Sequence, residues 1–181
     1  MSEPVVSPEP LKVPPRSSPI GWLAGIILSL LCLGPLAWLI MIPVFQQTSN
    51  STQTKLCLEN LKQIGAAMAM YANDNHDHFP PSKSWMDQLN LYVDSEVTFA
   101  CPVQRRVNPS SFGYAMNKDL PGTEAGKLKE PAKTPLVFDS SVTDRNAESD
   151  LATLPEPGRH QNGRKNGVLF ADGHTDAIGK M

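Results

Sequence analysis

The chain has 181 residues, with 16 Lys and Arg against 18 Asp and Glu, a formal net charge of -2 and three cysteines. Once its non-globular segments are set aside, that length holds one small domain. The near-neutral balance excludes the basic footprint of a nucleic-acid-binding protein, so no nucleic-acid partner is expected.

Residues 1–19 contain six prolines (Pro4, Pro8, Pro10, Pro14, Pro15, Pro19) and almost no large apolar side chain. Such a segment buries too little surface to offset the entropy of ordering it, which predicts a disordered Pro-rich tail. Between Arg16 and Lys55 no residue is charged, and residues 20–45 are an apolar run. A bilayer core about 30 Å thick needs roughly 20 apolar residues of helix, so this run is predicted to span it. Trp22 and Trp38 would lie about 24 Å apart along that helix at ~1.5 Å per residue, which suits the two interfacial belts. A cleaved secretory signal is the competing explanation, but its apolar core is about 7 to 15 residues and ends at small residues. Residues 46–50 offer no such site. Lys12 and Arg16 precede the run and only Lys55 follows it closely. The positive-inside bias then places the tail in the cytoplasm and residues 46–181 outside it. Gly21 and Gly25 have the spacing that lets membrane helices approach closely.

Beyond the run, Asn50 followed by Gln53 resembles a helix cap, leaving open whether a new helix starts or one helix continues. From Thr52 to about Asn73, Cys57, Leu61, Ile64, Met68 and Tyr71 recur at steps of four and three, with Lys55, Glu59, Lys62 and Ala66 opposite. This is an amphipathic helix, and it must end before Pro80 and Pro81. Residues 85–93 read as a short helix with Trp85, Leu89 and Tyr92 or Val93 inward, and Cys101-Pro102 reads as a stop. Residues 111–116 and 134–139 are strand candidates. Residues 168–171 and 174–178 flank Asp172-Gly173, a two-residue hairpin signal in which both turn residues take positive φ. The segments 117–133 and 140–166 read as long loops.

Cys32 falls in the apolar run and reads as a small apolar residue. Cys57 and Cys101 fall in the outer domain. In an oxidising compartment they could pair, and closing that loop would contribute about 4 kcal/mol in the chain-entropy model. Two buried thiols are the alternative. Asp74, His76, Asp77 and His78, with His160, Asp172 and His174, are metal-capable but show no strict ligand spacing. No nucleophile elbow, phosphate loop or Cys/His pair in a recognisable context is present, so no enzymatic activity is expected.

Taken in order, several of these segments resemble one known family. They are Ile42-Pro43-Val44-Phe45, the run from Cys57 to Gly65 (CLENLKQIG), Met70-Tyr71-Ala72-Asn73-Asp74, residues 85–93, Phe99-x-Cys101-Pro102, Phe112-Gly113-Tyr114, Pro131-Ala132-x-Thr134 and Leu169-Phe170-Ala171-Asp172-Gly173-His174. The set resembles the type II secretion pseudopilin-like, or prepilin-type processing-associated, proteins over about residues 21–178. The resemblance implies an α+β fold: an N-terminal transmembrane helix, then a pilin-like domain with an amphipathic helix packed on a small antiparallel sheet with long loops.

It implies the domain order 1–19 tail, 20–45 transmembrane helix and 46–181 extracytoplasmic domain. It also places a prepilin-type cleavage point at Gly21-Trp22. There Ile26 stands where the family carries glutamate, which argues that this chain is neither cleaved nor a standard filament subunit. The family's His, nine residues, Asp-Gly motif corresponds to His160, Asp172 and Gly173, here with eleven residues intervening. Calcium is the metal the resemblance allows, with Asp139, Asp144 and Asp172 as candidates; no other cofactor is expected. The implied role is structural or interactive, in a bacterial envelope assembly of the type II secretion or pilus-like kind. Its implied setting is the inner membrane, with lipid and other pilin-like subunits as partners. A second reading is a membrane-tethered metal- or ligand-binding module using the His- and Asp-bearing loops.

Overall fold

The structure is a computed structural model that describes residues 19–179; for residues 19–50 it describes only some of the side chains. The Pro-rich tail, Pro19 apart, lies outside the described residues. The chain divides into two compact units, Met1–Val44 and Phe45–Met181.

The first helix, α1, has the bounds Pro19–Asp74. Gly21 and Trp22 lie inside it, and no second helix begins at Asn50. In the first unit Trp22, Leu23, Ile26, Ile27, Leu31 and Trp38 are exposed. Among the described residues no helix is long and apolar enough to cross a membrane. The spanning segment expected at residues 20–45 falls largely on side chains outside the described ones.

In the second unit the α1 face follows its periodicity. Cys57, Leu61, Ile64 and Met68 are buried, Tyr71 is half-buried, and Lys55, Glu59, Lys62 and Ala66 are exposed. The helix ends ahead of the proline pair, where His76 (φ 56°) and Asp77 (φ 63°) turn the chain through left-handed geometry. The Asp77 amide closes the last turn on the Ala72 carbonyl at 2.8 Å.

Two short helices follow, α2 (Trp85–Leu89) and α3 (Pro102–Val107). A helix as short as α2 needs tertiary support. It receives it from Asn146, whose side-chain oxygen accepts the Met86 and Asp87 amides at 2.8 and 3.3 Å. Cys101-Pro102 proves to be a helix start, not a stop. Proline fits the first helical position because that N–H has no intrahelical partner in any case.

The sheet has five strands, β1 (Tyr114–Asn117), β2 (Pro135–Asp139), β3 (Glu148–Ser149), β4 (Asn166–Phe170) and β5 (Thr175–Ile178), in the order β3-β1-β2-β4-β5. It is mixed, where an antiparallel sheet is expected from the resemblance. β1 with β2, β2 with β4 and β4 with β5 are antiparallel, but β3 runs parallel to β1. β2 ends with Asp139 opposite Tyr114 at the start of β1. A strand laid next on the far side of β1 must therefore run the same way as β1. Residues 140–147 make that crossing, so β3 lies in a segment that reads as loop.

The last hairpin also differs. Phe170 N–H donates to the His174 carbonyl and Gly173 N–H to the Phe170 carbonyl, both at 2.9 Å. The loop is thus three residues, 171–173. Only Gly173 takes positive φ (90°), as a three-residue hairpin requires at one position.

Alternation along the strands sorts side chains to two faces. Tyr114, Met116, Val137 and Leu169 join α1, Trp85, Met86, Leu89 and Phe99 in the main core. Ala115, Phe138 and Val168 pack with Ala147 and Leu154 on the other face. Asp139 falls two positions after Val137, so the pleat aims it into the main core toward α1.

A buried four-donor cluster as the candidate functional site

Four metal-capable side chains from four separate segments meet on the α1 face of the sheet. Cys57 comes from the buried stripe of α1. Cys101 stands just before α3, its amide donating to the Phe112 carbonyl at 2.8 Å. Asn60 Nδ2 donates to the Ala100 carbonyl at 3.2 Å and ties that segment back to α1. Asp139 ends β2. His160 lies in the loop before β4, where Gln161 (φ 50°), Asn162 (φ 59°) and Gly163 (φ 82°) reverse the chain. The reversal lets the His160 amide donate to the Lys165 carbonyl at 2.8 Å, which pins the histidine beside the sheet.

The geometry is close. Cys57 Sγ and Cys101 Sγ are 3.7 Å apart. Cys57 Sγ is 3.8 Å from Asp139 Oδ1, Cys101 Sγ is 4.0 Å from His160 Nε2, and His160 Nε2 is 3.0 Å from Asp139 Oδ2. One ligand atom from each of the four lies within 4.8 Å of all the others. Cys57, Cys101 and Asp139 are wholly buried and His160 is 3 % exposed. A surrounding shell fixes them. Arg159 Nη1 donates to Asp139 Oδ1 at 2.9 Å and to the Gly113 carbonyl at 2.6 Å, and Nη2 donates to the Ser140 carbonyl at 2.6 Å. The Gly167 amide donates to Asp139 Oδ2 at 2.6 Å, and the Tyr114 hydroxyl lies 3.0 Å from Cys57 Sγ. His160 Nδ1 is buried with no hydrogen-bond partner among the described residues.

The electrostatics follow from burial and contact. Burial alone would push the Asp139 carboxyl up, but the His160 hydrogen bond, the Arg159 charge and the Gly167 amide outweigh it and hold it below the usual carboxylate range. Burial alone would lower His160; its hydrogen bonds to Asp139 and Cys101 outweigh that and carry it to about 9. The Cys57 hydrogen bond, with help from His160, brings the Cys101 thiol down to about 6, while burial pushes Cys57 up. The arrangement favours a Cys101 thiolate beside a protonated His160. That is nucleophile chemistry in kind, but both groups lie inside the core, away from any open face.

Gly167 makes room for this packing. A Cβ there would stand 2.9 Å from Leu61 Cδ1, 3.3 Å from Asp139 Oδ2 and 3.5 Å from Cys57 Sγ. Alanine usually improves on glycine within a strand. Here Gly167→Ala is expected to destabilise by about 1–3 kcal/mol through overpacking, checked as a lower urea midpoint at unchanged slope.

The sequence-derived site residues are redistributed. Cys57 and Cys101 do approach each other, as free thiols. His160 meets Asp139 and not Asp172. Asp172 instead pairs within its own turn with His174 Nδ1 at 2.5 Å. Asp77 accepts the Gly126 amide at 2.7 Å, and His78 lies 3.8 Å from Glu124. Among the described residues, Asp144 and Asp172 do not converge with Asp139 on a common point, so the calcium candidates form no shared site. The two sulfurs beside Asp139 also make a poor calcium environment. Arg159, Tyr114 and Gly167 carry no signal of a site in the sequence. Comparison with protein-family models, curated proteins and solved structures gives no match.

Proposed function

We propose that this chain is a single-pass, membrane-anchored, pseudopilin-like protein of a bacterial envelope assembly, with a structural or interactive role. Its tail would lie in the cytoplasm and its α+β head outside, in contact with lipid and with other pilin-like or secretion-system subunits. The observation that supports this most is the run at residues 20–45, uncharged and apolar, inside a helix whose later turns supply one wall of the head's core. Cell fractionation tests the reading. The full chain should stay with membranes through high-salt and alkaline washes and leave them only in detergent. A tag at its C-terminus should be digested by protease added outside spheroplasts. Recovery in the aqueous fraction, or a protected tag, overturns the reading. Because Ile26 replaces the family's glutamate, the mature membrane-extracted protein should begin at Met1 or Ser2; a start at Trp22 would show that the peptidase accepts the site.

A further inference from the structure

We propose that Cys57, Cys101, Asp139 and His160 are the four ligands of a structural zinc ion that ties α1 to the sheet and to the two loops flanking it. The pairwise distances fit such a site. A tetrahedral zinc with Zn–S near 2.3 Å and Zn–N or Zn–O near 2.0–2.1 Å sets its ligands about 3.8 Å apart for two sulfurs, about 3.5 Å for sulfur with nitrogen or oxygen, and about 3.3 Å for nitrogen with oxygen. The structure has 3.7 Å between the sulfurs and 4.0 Å from Cys101 to His160; Asp139 stands 3.8 Å from Cys57 through Oδ1 and 3.0 Å from His160 through Oδ2. Each differs from the ideal edge by about half an ångström or less, and the adjustment the site requires is a rotation of the Asp139 carboxylate that turns one oxygen toward both Cys57 and His160.

Charge balance accommodates the same ion. Two thiolates and a carboxylate bring three negative charges into a fully buried site, where uncompensated charge is costly. A divalent cation and the Arg159 guanidinium bring three positive ones, and a neutral His160 adds none. The cluster is therefore balanced with zinc in place. Two sulfurs, one nitrogen and one carboxylate oxygen suit zinc and exclude calcium and magnesium, which want oxygen donors. The outer shell of the carboxylate is in place: Arg159 and the Gly167 amide hold one carboxylate oxygen each and leave lone pairs free. The Tyr114 hydroxyl is set to donate to the Cys57 sulfur. In this state His160 turns its Nε2 lone pair inward and carries its proton on Nδ1, which is buried with no hydrogen-bond partner among the described residues. All four positions are filled by protein and none faces an open surface, which marks a structural and not a catalytic zinc. This site is distinct from the His- and Asp-bearing loop tips at residues 74–78 and 172–174.

Metal analysis of the full chain, purified in detergent under reducing conditions, tests this directly and does not depend on which membrane or assembly holds it. One zinc per chain is expected, removable by chelator with a fall in melting temperature. Cobalt(II) added to the stripped protein should give the intense visible bands of a tetrahedral site together with thiolate charge-transfer bands. Cys101→Ser and Asp139→Asn should lose metal, while the control pair Asp172→Asn and His174→Ala should keep it. Should those variants fail to fold, the cobalt spectrum of the unaltered chain still decides. Zinc absent and cobalt without thiolate bands, metal lost from the control pair, or Cys57 and Cys101 found as a disulfide in protein isolated without reductant and alkylated at once would each overturn the assignment.

Discussion

Replacing Arg159 with methionine is expected to destabilise the head by about 3–5 kcal/mol, because the change removes one of the two cationic partners of a buried carboxylate and leaves buried carbonyls without their donor. The Arg159 side chain is 6 % exposed and Asp139 is fully buried, so water cannot replace the lost cation. The same guanidinium also satisfies the carbonyls of Gly113 and Ser140. Leaving such acceptors without donors costs about 1–3 kcal/mol in the general case. Lysine in its place should recover only part of the loss, since one ammonium cannot reproduce a planar fork that reaches three acceptors on two strand ends. Asp139→Asn should also destabilise, by stranding the arginine. The double variant Arg159→Met with Asp139→Asn should be more stable than the sum of the two single losses predicts, the signature of a coupled pair. Urea midpoints measured with chelator present check all four variants. A loss for Arg159→Met below about 1 kcal/mol, the scale of an exposed ion pair, would show that this pair is not buried in solution.

Much of the scaffold around that pair is legible in the amino-acid sequence alone. The α1 stripe from Cys57 to Tyr71 follows directly from spacing, because a helix repeats its faces every 3.6 residues and nothing else in the segment competes. The strands at β2 and β4 are visible for a similar reason, being short apolar runs rich in Val, Leu and Phe. β3 is not. Glu148–Ser149 is two polar residues long, and its pairing is fixed by where β2 ends, not by any pattern of its own. The Cys101-Pro102 step misleads because proline ends a helix when it arrives from within and begins one when it stands first.

The cluster is half legible. Cys57 and Cys101 stand out as a pair, His160 through a motif and Asp139 as a stray acid, yet no spacing among them is diagnostic. Their meeting depends on β2 and β4 being neighbours and on α1 crossing that side of the sheet, which is tertiary information. One local cue does exist. Asp139 closes the apolar run Leu136-Val137-Phe138, and alternation puts it on the same face as Val137. An acid aimed into a core requires a cation or a metal. The cation that meets it is Arg159, the neighbour of His160 in the chain, and only the fold brings the two together with Asp139. The resemblance sets the histidine with Asp172 in sequence; in space His160 meets Asp139, one strand inward.

The second large effect is expected at Trp85, which the short helical pattern at residues 85–93 places inward. Its side chain is fully buried, meets the Phe99 ring edge-on with centroids 5.8 Å apart, and donates from Nε1 to the Ala147 carbonyl at 3.0 Å. Trp85→Ala should cost about 3–5 kcal/mol, the range for emptying a large aromatic site in a core. Trp85→Phe separates packing from hydrogen bonding. The Ala147 carbonyl also accepts the Met116 amide at 2.9 Å, so removing the indole N–H does not orphan it. The phenylalanine variant should therefore lose only about 1–2 kcal/mol, from a smaller ring and one hydrogen bond. Because Trp85 joins α2 to the segment that crosses to β3, its loss should also loosen the edge of the sheet. Hydrogen exchange at the Met116 and Lys118 amides, which bond to the Ala147 and Ser149 carbonyls, should accelerate in Trp85→Ala well before exchange rises in β4. Equal acceleration in both strands would mean that the head opens as one unit and that Trp85 stabilises the whole core, not the β3 edge.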